Sequence, residues 1–132
     1  MDLNILKIAS NTENHKVIKN YTHQSKNKNP ICGDEMKISL IVSNDIIEDM
    51  GYQCKSCIYC QASVSMLSSK IKNKNVKEIK NFISYIDNFF DDNHFKVEKK
   101  WNSFKEILNK QNIARKECLL LPFRTISKAL KF

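Results

Sequence analysis

Residues 35–53 read EMKISLIVSNDIIEDMGYQ, and this stretch decides the fold that the sequence predicts. Between residues 35 and 43 apolar side chains alternate with polar ones, which is typical of a strand with one buried face. Only Ile41 breaks the alternation. Residues 43–45 (Ser-Asn-Asp) favour a turn, and residues 46–53 return with a weaker apolar alternation. The stretch therefore predicts an antiparallel β-hairpin.

Helical patterns lie on both sides of the hairpin. Residues 3–10 have the apolar spacing of a short amphipathic helix. Residues 11–29 are polar and predict a loop, with one weak turn or strand around Val17–Tyr21. After residue 60 we expect four helices: one from 62 to 72, one from 76 to 90, one around Trp101, Phe104, Ile107 and Leu108, and one from 119 to the chain end. We interpret their aromatic residues as core.

Strands followed by a run of helices indicate the α+β class. We expect a small antiparallel sheet of two or three strands packed against about four to five helices. The 132 residues predict a single domain, residues 1–132. No stretch approaches the ~20 apolar residues of a membrane helix, and residues 1–4 (MDLN) lack the pattern of a secretion signal. These features predict a cytoplasmic protein with no membrane partner.

The net charge of +8 raises the question of nucleic-acid binding. The charge is unevenly distributed, because residues 31–60 carry two lysines against five acidic residues. The same segment holds four of the five cysteines. We therefore expect no nucleic-acid partner. A basic zinc module that binds nucleic acid stays an alternative, which salt-dependent binding to random duplex would reveal.

Five cysteines in a chain with no export signal favour metal binding or catalysis over a disulfide framework. Cys32 lies in the loop that enters the hairpin, Cys54, Cys57 and Cys60 follow the hairpin, and Cys118 lies near the start of the last helix. Three segments can thus bring thiolates to one end of the sheet, where they would select zinc, copper(I) or iron–sulfur centres. Spacing alone leaves structural cysteines, a thioredoxin-type pair and a zinc ribbon open, although the last two lack their usual context.

At these residues the sequence resembles the IscU/NifU N-terminal scaffold family of iron–sulfur cluster assembly. Residues 29–34 (NPICGD) are similar to the family pattern N-P-x-C-G-D. Residues 56–66 (SCIYCQASVSM) resemble its G-C-x-x-S-x-A-S-x-S-M helix entry. Residues 115–123 (RKECLLLPF) resemble R-x-x-C-x-x-L-p-w, and the pair Gln61-Ala62 resembles a compact alphaproteobacterial branch.

The resemblance implies Cys32, Cys57 and Cys118 as ligands of a nascent [2Fe-2S] cluster, with Asp34 as the carboxylate that keeps the cluster labile. It implies a scaffold that is not an enzyme, with a cysteine desulfurase and apo iron–sulfur proteins as partners. The alternative is a zinc-bound sulfurtransferase that accepts persulfide from a desulfurase. Both readings use the same cysteines, so metal analysis separates them.

This chain departs from the family pattern at several positions. Glu117 stands where the family has His or Lys before the third cysteine, which makes Glu117 a candidate for the fourth ligand. Cys54 and Cys60 are additional cysteines. We interpret Cys60 as a packing residue first, and both as candidates for a further ligand or persulfide acceptor. The chaperone-recognition sequence L-P-P-V-K is replaced by residues 111–114 (QNIA), so hand-off through that sequence is not expected.

Overall fold

Three antiparallel strands in the order β1-β2-β3 form the sheet of this computed structural model, which describes residues 3–91 and 98–132. Strand β2 spans Asp34–Ser43 and β3 spans Ile46–Lys55, so the predicted hairpin is confirmed. Its two turn residues, Asn44 and Asp45, have φ angles of 53° and 62°. Positive φ at both central positions is typical of a type I′ hairpin turn, and Asn and Asp tolerate that conformation better than other non-glycine residues.

Strand β1 spans His23–Asn29, whereas the sequence predicted a weak strand at Val17–Tyr21, so that placement was wrong. The strand reads HQSKNKN and contains no large apolar residue. It is ordered by its neighbours, since every residue of β1 is in register with β2. The Ser25 hydroxyl also donates a hydrogen bond of 2.6 Å to the carbonyl of Thr125. Tertiary context therefore overrides the low strand propensity of these residues.

The remaining elements precede and follow the sheet along the chain. They are α1 (Leu3–Ala9), α2 (Ile58–Lys70), α3 (Val76–Ile86), three 3₁₀ segments (Phe89–Asp91, Lys99–Glu106 and Lys110–Arg115) and α4 (Lys116–Leu130). Helix α2 begins four residues earlier than predicted, and α3 ends at Ile86 instead of continuing to residue 90. The helix predicted around Trp101 is a 3₁₀ segment, in which i to i+3 bonds replace α-helical ones.

One hydrophobic core holds the sheet against α2 and α4. The aromatic residues of the predicted apolar helix faces are buried in it, as predicted: Phe82, Phe89, Phe90, Trp101, Phe104 and Phe123. The rings of Phe82 and Trp101 stack at 4.2 Å between centroids with an interplanar angle of 5°. Phe104 contacts Phe82 at 5.0 Å and Phe123 at 5.8 Å. This cluster joins α3 and the second 3₁₀ segment to α4, the helix that carries Cys118.

The outer edge of β3 is covered by two stretches of chain. The amide of Tyr52 donates to the carbonyl of Asn14 at 3.1 Å, and the amide of Ile47 donates to the carbonyl of Lys74 at 3.0 Å. Gly51 permits the first approach, because a Cβ there would lie 2.7 Å from the carbonyl oxygen of Lys16. Both contacts leave free the end of the sheet where β2 begins. Within residues 3–91 and 98–132, no helix has the length and apolarity to cross a membrane.

Replacing Phe104 by alanine tests whether the aromatic cluster supports the 3₁₀ segment. Phe104 is fully buried, so Phe104→Ala should lower the free energy of unfolding by about 3–5 kcal/mol. Tyr21→Ala is the control, because Tyr21 is 45% exposed, and it should cost less than about 1 kcal/mol. Urea unfolding measures both, and equal losses would contradict the assignment of Phe104 to the core.

Candidate metal centre

Cys32 lies in the tight loop between β1 and β2. The carbonyl of Asn29 accepts a 2.8 Å hydrogen bond from the amide of Gly33, and the Asn29 side-chain oxygen accepts one of 3.2 Å from Ile31. Gly33 has a φ of +73°, a conformation that glycine adopts at no steric cost. These contacts shape a turn that leaves Cys32 exposed. The loop therefore presents a thiol to solvent at the open end of the sheet.

Asp34 is the first residue of β2 and is only 3% exposed. Its Oδ1 accepts a hydrogen bond of 3.0 Å from the backbone amide of Cys57, the residue that precedes α2. Its Oδ2 is buried and has no hydrogen-bond partner. Leaving a buried polar atom unpaired is costly, and the cost is greater when the group is charged. A cation that took Oδ2 as a ligand would remove that cost, so this oxygen fits a metal ion.

Cys118 completes the cluster from the first turn of α4. Its Sγ lies 3.6 Å from the Sγ of Cys32 and 3.9 Å from the side-chain nitrogen of Asn29. Two thiolates on one tetrahedral zinc lie about 3.8 Å apart, given Zn–S bonds of about 2.3 Å. The ligand atoms of Cys32, Asp34 and Cys118 all lie within 4.8 Å of one another. Three segments distant in sequence thus present two sulfurs and one oxygen at metal-binding spacing.

Burial is the main cause that raises the pKa of the Cys118 thiol above its ordinary value. Interactions with Cys57, Asp34 and Cys32 raise the same pKa further. A metal must therefore displace a proton from Cys118 when it binds, which makes affinity increase with pH.

Cys57 lies immediately beside the three-residue cluster. It is half-buried and immediately precedes α2. Its thiol interacts with that of Cys118, although its Sγ is not among the ligand atoms within 4.8 Å of one another. Of the four predicted ligands, the structure thus brings Cys32, Asp34 and Cys118 into one cluster and places Cys57 next to it.

The other three candidates have different surroundings. Cys60 is fully buried in the core, and burial raises the pKa of its thiol far above the ordinary value. Cys54 is half-buried at the end of β3, where burial and the charge of Asp34 raise its pKa. Glu117 forms an ion pair with Arg124. Within the described part of the chain, none of the three joins the cluster of ligand atoms.

Sequence reasoning missed the part played by Asn29. Its side chain is buried, contacts the sulfur of Cys118 and also supports the loop that carries Cys32. The sequence signal for this role is the position of Asn29 as the first residue of the NPICGD segment. Arg124 was missed as well. It pairs with Glu117, seven residues earlier on α4, and this contact depends on where the helix begins, which the sequence alone does not fix.

A sequence model of the NifU-like N-terminal domain matches residues 2–90. The chain belongs to this family. The iron–sulfur cluster assembly scaffold protein IscU of Thermotoga maritima is 30% identical over 104 residues, which are 79% of this chain and 73% of that protein. The zinc-dependent sulfurtransferase SufU of Bacillus subtilis is 35% identical over 49 residues, which are 37% of this chain and 33% of that protein. The resemblance seen in the sequence is thus confirmed.

Solved structures of the NifU-like fold superpose on nearly the whole chain. A NifU-like N-terminal protein from Brucella abortus has a TM-score of 0.89 at 18% identity, covering 98% of this chain and 91% of that one. A putative iron–sulfur cluster assembly scaffold protein for the SUF system of Fervidobacterium islandicum has a TM-score of 0.87 at 23% identity, covering 98% and 96%. These likenesses confirm the predicted α+β fold.

The raised pKa of Cys60 predicts how the stability of this family member depends on pH. Below pH 9.0, the ordinary value for a thiol, Cys60 is protonated in both the folded and the unfolded chain. Above it the unfolded chain loses the proton and the folded protein keeps it, so stability falls as pH rises. Cys60→Ala removes this contribution, and urea unfolding between about pH 8 and pH 10 should show a shallower decline. Equal declines in the parent and the variant would contradict the buried, protonated state.

Proposed function

We propose that residues 1–132 form one scaffold domain that binds a nascent [2Fe-2S] cluster and passes it to apo-proteins. The convergence of Cys32, Asp34 and Cys118 within 4.8 Å carries this proposal. Cys57 would supply the remaining thiolate from the start of α2. Membership of the NifU-like family and the likeness to the IscU scaffold of Thermotoga maritima support it. The protein would hold a cargo and would not turn over a substrate as an enzyme does.

The mixed ligand set suits a cargo that must leave. Thiolates bind iron tightly, whereas a carboxylate oxygen is a harder and more readily exchanged ligand. Cys118 is fixed on a buried helix turn, while Cys32 lies on an exposed loop. The cluster would therefore be anchored by the buried ligands and would enter and leave on the side of exposed Cys32.

Sulfur would arrive from a cysteine desulfurase as persulfide. In such a transfer the thiolate of the acceptor attacks the terminal sulfur of the donor persulfide, and the donor cysteine leaves as a thiolate. The acceptor must be reachable by a macromolecule, which favours exposed Cys32 over buried Cys60 and Cys118. Cys57, half-buried at a helix N-terminus, would be the second thiol available to the donor.

A zinc-bound sulfurtransferase is the second candidate function. The 3.6 Å separation between the sulfurs of Cys32 and Cys118 suits tetrahedral zinc as well as iron. The likeness over 49 residues to the zinc-dependent sulfurtransferase of Bacillus subtilis points the same way. In that role zinc would hold the same residues, and one thiolate would leave the metal to accept sulfur.

Anaerobic reconstitution with ferrous iron and sulfide tests the scaffold function. The parent protein should gain a visible chromophore with stoichiometric iron and sulfide, and Cys57→Ala and Cys118→Ala should abolish it because each removes a ligand. Cys54→Ala is the matched control and should assemble a cluster, since Cys54 lies outside both the family motifs and the ligand-atom cluster of the described residues, whereas Cys57 belongs to a motif and interacts with Cys118. Visible absorption and metal analysis measure the outcome.

The same measurement separates the two candidate functions. Colourless protein that retains one tightly bound zinc after reconstitution would favour the sulfurtransferase. Cluster assembly retained by Cys57→Ala would refute the assignment of Cys57 as a ligand. Circular dichroism of each variant shows whether a lost chromophore reflects a lost ligand or a lost fold.

Removing the carboxylate of Asp34 should lengthen the lifetime of the cluster. Asp34 would supply the carboxylate oxygen, the more readily exchanged ligand, so its loss should remove the position at which the cluster opens to exchange. Asp34→Asn is the preferred companion to Asp34→Ala, because an amide oxygen can still accept the hydrogen bond from Cys57. The decay of visible absorbance in the presence of a chelator gives the lifetime, and a faster decay in both variants would contradict this role.

A further inference from the structure

The exposed face of the sheet carries lysines beside the candidate metal centre. Lys26, Lys37 and Gln53 lie directly opposite one another across the three strands. The next row toward the site consists of Lys28, Glu35 and Lys55. These side chains alternate along each strand with buried residues, so they share the face opposite the core.

The two rows line a groove of about 550 Å³, bordered on one side by His15. We call this surface the basic groove and define it by Lys26, Lys28, Lys37, Lys55, Glu35 and His15. The groove is bounded by the chain segment that covers the edge of β3, since His15 follows Asn14, whose carbonyl binds the amide of Tyr52. This segment borders the groove on one side, and the groove is otherwise open to solvent.

The charge of the basic groove is poorly balanced within the protein. Lys28 pairs with Glu35 at 3.4 Å. Lys26, Lys37 and Lys55 take part in none of the ion pairs found among residues 3–91 and 98–132. Lys26 and Lys37 also lie directly opposite each other on neighbouring strands, and like charges in that position repel. An acidic ligand in the groove would relieve this repulsion.

We propose that the basic groove docks an acidic, extended segment of a partner protein. Lys26 and Lys28 lie two residues apart on one strand, a separation of about 6.8 Å. Carboxylates at alternate positions of an extended peptide have the same spacing, so they can meet both lysines at once. Glu35 interrupts the row between Lys28 and Lys55, so separated carboxylates fit the groove better than an unbroken line of phosphates, and the Gln53 amide adds a hydrogen-bonding group. These features favour an acidic polypeptide over a nucleic acid.

The position of the groove ties it to the cysteines. Lys28 precedes Asn29, Glu35 follows Asp34, and Lys55 lies two residues before Cys57. A bound acidic segment would hold its parent protein next to the thiols that exchange cargo. Only this link to cluster exchange rests on the proposed function, because the docking surface itself follows from charge and shape.

A peptide-binding experiment with the metal-free protein tests the proposal. The probe is a fluorescently labelled peptide of alternating Glu and Ser, and fluorescence anisotropy measures its binding at low and at physiological ionic strength. Lys37→Glu combined with Lys55→Glu should weaken binding by about tenfold or more. The matched control combines Lys77→Glu with Lys105→Glu, which changes the net charge equally at exposed positions outside the groove. The control should change affinity by less than about twofold.

Three results would overturn the proposal. Equal losses in both double variants would show attraction by net charge alone, and no binding by the parent would show that the groove takes no acidic peptide. The surface would be assigned to nucleic acid if random duplex DNA bound more tightly than the peptide and the Lys37 and Lys55 substitutions weakened that binding. Lys37→Gln combined with Lys55→Gln should show an intermediate loss, which guards against misfolding of the Glu variants. Metal-free protein is used throughout, so this outcome is independent of the reconstitution result.

Discussion

The hydrogen bond from the backbone amide of Cys57 to the carboxylate of Asp34 is the contact on which the site depends. It joins the first residue of β2 to the residue that begins α2, so the sheet and the helix cannot shift independently. The amide at a helix start would otherwise lack an intrahelical partner, and the buried carboxylate oxygen would lack a donor. This one hydrogen bond satisfies both groups. It leaves Oδ2, the second oxygen of Asp34, without a hydrogen-bond partner.

Two buried hydroxyl groups position helix α4, whose N-terminus has no side-chain cap. The Ser63 hydroxyl donates to the carbonyl of Leu119 at 2.6 Å, and the Ser25 hydroxyl donates to that of Thr125 at 2.6 Å. Both bonds are buried, so they are strong in a medium of low dielectric and costly to lose. They fix α4 against α2 and β1, and thereby fix Cys118 opposite the loop of Cys32. The small serines near the start of α2 therefore matter for alignment as well as for packing.

Secondary structure could be predicted from the sequence where the local residue pattern matches the conformation that the folded chain adopts. Alternation in residues 35–43 and the Asn44–Asp45 turn were enough to predict the hairpin, because one buried face sets the register of a strand. Strand β1 could not be predicted, since its polar residues are ordered by β2 and α4. The order of the cysteines predicted their convergence, but the contact between Asn29 and Cys118 spans 89 residues and needs the folded chain.

The candidate metal centre combines a rigid side with an accessible side, and this asymmetry follows from the fold. Cys118 and Asp34 belong to regular elements packed in the core, where burial restricts their rotamers. Cys32 belongs to a turn whose order comes from Asn29, and its side chain meets solvent. A site built only from buried residues would hold a cluster without a route for release, and one built only from loops would not hold its spacing. Placing one candidate ligand on a short loop and the others on packed elements would reconcile retention with exchange.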